Sequence, residues 1–190
     1  EQIREPTVPF KPSGRLKGEL AFRGLNFGYQ ANQPVLRDFT LTIKPGETLA
    51  VVGPTGSGKS TLIRLLVRFY DVNDGMIFID GEDINRYSSG VLRQRIGVVL
   101  QDFHIFSGSI LENIRLGNPA ISRADAIRAA DAVQATPFIE RLPEGFDTHL
   151  NERGQNLSQG ERQLLAFARV LVADPEILVL DEATASIDTQ

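Results

Sequence analysis

Three glycines, one lysine and four hydroxyl side chains fall within nine residues from Gly53 to Thr61, in the stretch GPTGSGKST. The spacing is G-x-x-x-x-G-K-S. In that pattern glycines let the main chain curl until successive N–H groups face phosphate oxygens, and a lysine and a serine complete the site. On this reading Gly53, Thr55, Gly56, Ser57, Gly58, Lys59, Ser60 and Thr61 form a phosphate cradle. Lys59 reaches the β and γ phosphates and Ser60 ligates Mg2+. The plain alternative is a glycine-rich turn with an incidental lysine. The motif alone leaves kinases, GTPases and many ATPases open.

A second group is ILVLDEATAS, where four apolar residues deliver Asp181 and Glu182 to the end of a strand. Ligands of open α/β sheets collect at such ends. There Asp181 can hold Mg2+, mostly through water, and Glu182 can polarise an attacking water; otherwise the two acids simply begin a loop. A third group is LSQGE, Leu157 to Glu161, whose Ser158 and Glu161 have the spacing of a helix capping box. A hydroxyl and a glycine, Ser158 and Gly160, at a helix start also suit an anion. Two phosphate-binding helix starts in one chain call for a second chain.

These groups need elements to hold them. TLAVVG before the glycine loop is a continuous apolar run and predicts a strand buried on both faces, followed by a helix through LIRLLVRFY. ELAFRGLNF and PVLRDFTLTI predict an antiparallel β portion, GMIFIDG a hairpin strand and RIGVVLQ a short buried strand ending at Gln101. SILENIRLG, SRADAIRAADAVQA and the stretch from Thr136 and Pro137 predict helices. GERQLLAFARVLVA predicts another helix before the strand EILVLDEA. The pattern is that of an α/β core interrupted by helices. Residues 1–17, with Pro6, Pro9, Pro12 and Gly14, read as a linker or arm and receive no chemistry.

Composition removes some classes. With 42% hydrophobic and 23% charged residues the chain is ordinary globular material. A net charge of −4 gives no general attraction to nucleic acid or to an anionic bilayer. There is no cysteine for a disulfide or thiolate site, and two histidines leave little for a metal centre. No apolar run approaches the ~20 residues of a spanning helix. His104 and His149 read as solvated or packed side chains.

Taken in order, GPTGSGKS, Gln101 in VVLQD, LSQGE, ILVLDE and the ASID of Ala185 to Asp188 resemble the nucleotide-binding domain of an ATP-binding cassette transporter of the exporter type. The resemblance runs from about Gly18 to the end. It implies an α/β P-loop NTPase core (18–101 and 157–190) with an N-terminal antiparallel β subdomain and an inserted α-helical subdomain at about 102–156. It implies ATP and Mg2+ as ligands, with Gln101 as a further catalytic and metal residue and Tyr29 stacking on adenine. In the family two domains meet head to tail, so that Ser158 and Gly160 of one close over the nucleotide held by Lys59, Ser60, Asp181 and Gln101 of the other, and Glu182 acts as general base. The implied partners are that second domain and transmembrane domains, at the cytoplasmic face of the inner or plasma membrane, with no nucleic acid. Asn151 to Gly154, NERG, and DFHIFSGSI after Gln101 match segments that touch the membrane helices.

The chain also departs from the family. Gln159 and Glu161 stand where the signature usually has glycine and glutamine, so Glu161 either opposes a γ-phosphate or turns back into the capping box. The sequence stops at Gln190, short of the strand that carries the family's switch histidine. The expectation is a C-terminally truncated domain that binds ATP and hydrolyses it poorly. A soluble, non-transport ATPase of the same family, a small-molecule kinase and a non-catalytic nucleotide-binding module are the rival readings.

Overall fold

The computed structural model describes residues 3–30, 32–100 and 104–181. They divide into two compact units, one up to Ile96 and one from Gly97. The first is built on an antiparallel sheet in the order β2-β1-β3-β4. β1 (Leu20–Phe27) and β2 (Leu36–Ile43) form a hairpin, with Leu20 opposite Ile43 and Phe27 opposite Leu36. Beyond the buried Leu36, β2 alternates half-buried Phe39, Leu41 and Ile43 with exposed Thr40 and Thr42, as a strand with one wet face should. β3 (Ile77–Ile79) adds to β1, and β4 (Glu82–Asp83) returns beside it. Helix α1 (Lys59–Leu66) buries Thr61, Leu65 and Leu66, while α2 (Ser89–Arg95) starts on Ser88, whose side chain accepts from the Val91 N–H.

The proline-bearing N-terminal stretch is tied into this unit. The Arg4 N–H donates to Asp71 at 2.8 Å, the Phe10 N–H to the Arg86 carbonyl at 2.7 Å, and the Phe10 ring meets Tyr87 edge-on. The Asp80 carboxylate accepts from the N–H groups of Lys17, Gly18 and Glu19. Arg68, 1% exposed, donates to the carbonyls of Tyr87 and Arg4 and pairs with Asp71 at 3.1 Å, so a buried charge is balanced where the arm crosses.

In the second unit β5 (Ile96–Val99) pairs with β8 (Ile177–Leu180), and β6 (Gly108–Ser109) with β7 (His149–Leu150). Helices α3 (Ile110–Arg115), α4 (Arg123–Ala132), α5 (Thr136–Ile139) and α6 (Gln159–Leu171) enclose a core of Ile105, Ile110, Ile114, Ala126, Ala130, Ile139, Leu157 and Leu165, among others. The alanines on α4 let it lie close to α6. α3, α4 and α6 each begin with a complete capping box, at Ser109, Ser122 and Ser158.

One expected element is missing. TLAVVG forms no strand, and Leu49, Val51 and Val52 are 40%, 49% and 93% exposed. An apolar run fixes what a segment would gain by burial, but a strand exists only where a neighbour accepts its hydrogen bonds. No ladder bond to residues 48–52 is found among the described residues.

Candidate functional site

The glycine loop ends at a helix whose positive end is left open. The first four N–H groups of a helix have no carbonyl one turn earlier, so something else must satisfy them. Serine side chains do so at α2, α3, α4 and α6. At α1 the capping position is Gly58, no side chain caps it, and the first turn carries no acid. Gly58 has φ 93°, and a β-carbon there would lie 2.8 Å from Leu36 Cδ2. The left-handed backbone therefore favours glycine, and a side chain there would also have to displace Leu36. Gly56 is also left-handed at φ 83°, and a β-carbon on Gly53 would meet the Ser57 Oγ at 2.7 Å.

Lys59 folds back over this loop. Its Nζ donates to the carbonyls of Gly53 at 2.7 Å and Pro54 at 3.0 Å, and the Ser57 N–H closes a turn onto Pro54 at 3.2 Å. Both acceptors are neutral, so an incoming anion can replace them without breaking a salt bridge. Thr55, Ser57 and Ser60 are exposed and available to solvent, whereas Thr61 is buried. Curled glycines, an uncapped helix start and an ammonium group on neutral acceptors suit a polyphosphate.

Tyr29 stands on the β1–β2 connection. The turn is tight because Gly28 packs on the Gln33 carbonyl, where a β-carbon would come within 2.4 Å. The Tyr29 hydroxyl lies 3.0 Å from the Thr61 Oγ1, so the turn is fastened to the start of α1. Arg64 donates to the same hydroxyl at 3.3 Å. Phe27 and Tyr70 meet the Tyr29 ring edge-on, at 5.2 and 5.0 Å. Arg64 and Tyr70 escape a sequence reading; the signal available was the aromatic pair Phe69–Tyr70 directly after the helix.

The remaining residues lie in the second unit. Asp181 follows β8 and extends its pairing, its N–H donating to the Val99 carbonyl at 2.9 Å. Ser158 and Gly160 open α6, and both are exposed. Glu161 turns back into the cap: the Ser158 N–H donates to its carboxylate at 2.8 Å, and its own N–H donates to the Ser158 Oγ at 3.2 Å. Of the two roles open to Glu161, this arrangement is the capping one. Gln101 and Glu182 lie outside the described residues, as does the ASID stretch.

NERG and the segment after Gln101 are joined. The Arg153 N–H donates to the Ile105 carbonyl at 3.2 Å, and Gly154, left-handed and buried, sits where a β-carbon would press on Ile105. β6 and β7 pair immediately beyond. His104 and His149 are both exposed, with the His104 ring edge-on to Phe106.

Comparison with known proteins adds to this geometry. Residues 36–185 match the family described as ABC transporter. A Bacillus subtilis protein called an uncharacterized ABC transporter ATP-binding protein, YknV, is 48% identical over 190 residues, 98% of this chain and 32% of its own length. A fatty acid ABC transporter ATP-binding/permease protein of Mycobacterium bovis is 45% identical over 186 residues, 98% of this chain and 29% of its own. Among solved structures, a bacterial Atm1-family ABC exporter with ATP bound superposes with a TM-score of 0.89 at 41% identity, covering 98% of this chain and 32% of that one. The chain thus spans about a third of the length of the relatives it matches.

Proposed function

The chain belongs to the ABC transporter family as an ATP-binding domain, and from that premise we propose that it binds and hydrolyses MgATP to drive export by a longer protein. Its fold is the family's α/β P-loop NTPase core, with an antiparallel β portion and a helical insertion. The observation that carries the proposal is the uncapped start of α1, with Gly56 and Gly58 left-handed and Lys59 held on two carbonyls.

In this reading Gly53, Thr55, Gly56, Ser57, Gly58, Ser60 and Thr61 enclose the triphosphate, and Lys59 exchanges its loop carbonyls for β and γ phosphate oxygens. Tyr29 takes the adenine. Ser60, Gln101 and Asp181 would hold Mg2+, an ion that when bound offsets phosphate charge and aligns the γ-phosphate. Glu182 removes a proton from water as its oxygen attacks the γ-phosphorus; the bond to the bridging oxygen breaks and ADP leaves. Ser158 and Gly160 of a second copy or a homologous domain supply hydrogen bonds to the charge that develops.

The partners are that second domain and the transmembrane domains, which place this domain at the cytoplasmic face of a membrane. The joined segment around Ile105 and Arg153 is the place for contact with them. Among the described residues no helix is long and apolar enough to cross a membrane itself.

Glu182→Gln in the full-length protein tests the chemistry. Turnover should fall by roughly 10²–10⁴-fold with MgATP binding retained. Unchanged turnover would remove Glu182 from the role of base.

A further inference from the structure

Tyr29 does not stand alone. Phe27, Tyr29 and Tyr70 form a closed triangle of rings with centroids 5.2, 5.0 and 5.8 Å apart, each pair inclined by 61° to 84°. Such edge-to-face pairs fix the tilt of each ring, because the positive edge of one seeks the negative face of the next. Tyr29 remains 42% exposed and Tyr70 37%, unusual for three large rings in mutual contact. Burial alone does not account for a cluster left open in this way. The Tyr29 hydroxyl is meanwhile fastened to Thr61 in the first turn of α1 and to Arg64 one turn later.

The ring of Tyr29 is thus held by two inclined aromatic neighbours, and its hydroxyl by the same helix whose start forms the phosphate cradle. We propose that Tyr70 is a positioning residue for nucleobase recognition: it holds the Tyr29 ring at the tilt on which a purine stacks, so that base and phosphate sites are set at a fixed spacing before ligand arrives. Preorganisation of this kind lowers the ordering cost of binding. The inference rests on the nucleotide reading above. It adds that base affinity is governed from the segment just beyond α1, through a side chain that need not touch the ligand.

The test compares two probes on the full-length protein by calorimetry, MgATP and magnesium tripolyphosphate, the second of which has phosphates but no base. Tyr70→Ala should weaken MgATP by about three- to tenfold and leave tripolyphosphate unchanged. Tyr70→Phe, which keeps the ring, should restore MgATP affinity. Unchanged MgATP affinity in Tyr70→Ala would overturn the proposal. Equal losses for both probes would do so too, since they mark general damage to the fold. If the unmodified protein bound neither probe, the nucleotide reading itself would fall, an outcome distinct from either of these.

Discussion

Tyr87 illustrates how a single polar group is set inside this chain. Its ring is 1% exposed and its hydroxyl donates to the Ile79 carbonyl at 3.0 Å. Burial, reinforced by the nearby Asp80 and Glu82 carboxylates, pushes the phenol up from 10.0 to about 12. The folded state therefore keeps a proton that the unfolded chain gives up. Its contribution to stability is complete below pH 10 and is lost as the pH rises from 10 to about 12. Urea midpoints measured from pH 9 to pH 12 should fall less steeply in Tyr87→Phe than in the unmodified protein. Parallel curves would mean that Tyr87 ionises no differently when folded. Lys59 shows the same economy at the site: its type and position were legible in the motif, but its resting partners were not. The carbonyls of Gly53 and Pro54 become neighbours only once the loop has curled.

Among the elements, α6 is bolted to α3 by one partly buried network. Arg169 donates through Nε to the Asn113 carbonyl at 2.9 Å and through Nη2 to the Asn113 side-chain oxygen at 3.0 Å, and through Nη1 to the His104 carbonyl at 2.6 Å. Asn113, 2% exposed, also accepts from the Phe106 N–H and donates to the carbonyls of Phe106 and Ser109. Asn113→Ala would strand an arginine N–H and a backbone N–H together, a loss of about 2–4 kcal/mol. Hydrogen exchange should show α3 and the Phe106 amide losing protection by at least about tenfold, while β1 and β2 keep theirs. Equal protection in the variant would mean that the network is incidental. Helix starts in this unit were readable from Ser122 with Asp125 and Ser158 with Glu161, because a capping box is local in sequence. Asn113 was not, since its partner Arg169 is 56 residues away.

For the whole molecule, the same distinction between local and distant explains what the sequence could tell. The β1–β2 hairpin, helices α3 to α6 and the strand before Asp181 follow from short-range period and turn signals, and they are found, whereas α1 ends at Leu66, short of Tyr70, and α2 has no counterpart in the sequence reading. TLAVVG carries an equally clear apolar signal, yet it joins no ladder among the described residues, because pairing depends on a neighbour that no local pattern names. The candidate site divides likewise: the glycine loop before α1 is contiguous, while the ring cluster around Tyr29 joins residues 27, 29 and 70. The proposed role in export rests on the nucleotide site, so the decisive measurement is a calorimetric titration of the full-length protein with MgATP, beside its Lys59→Ala variant. Saturable uptake that weakens by at least about tenfold in the variant is predicted, as expected when a charged hydrogen-bond donor is lost. A folded protein that takes up no MgATP, or a Lys59→Ala variant that binds it equally well, would contradict the account.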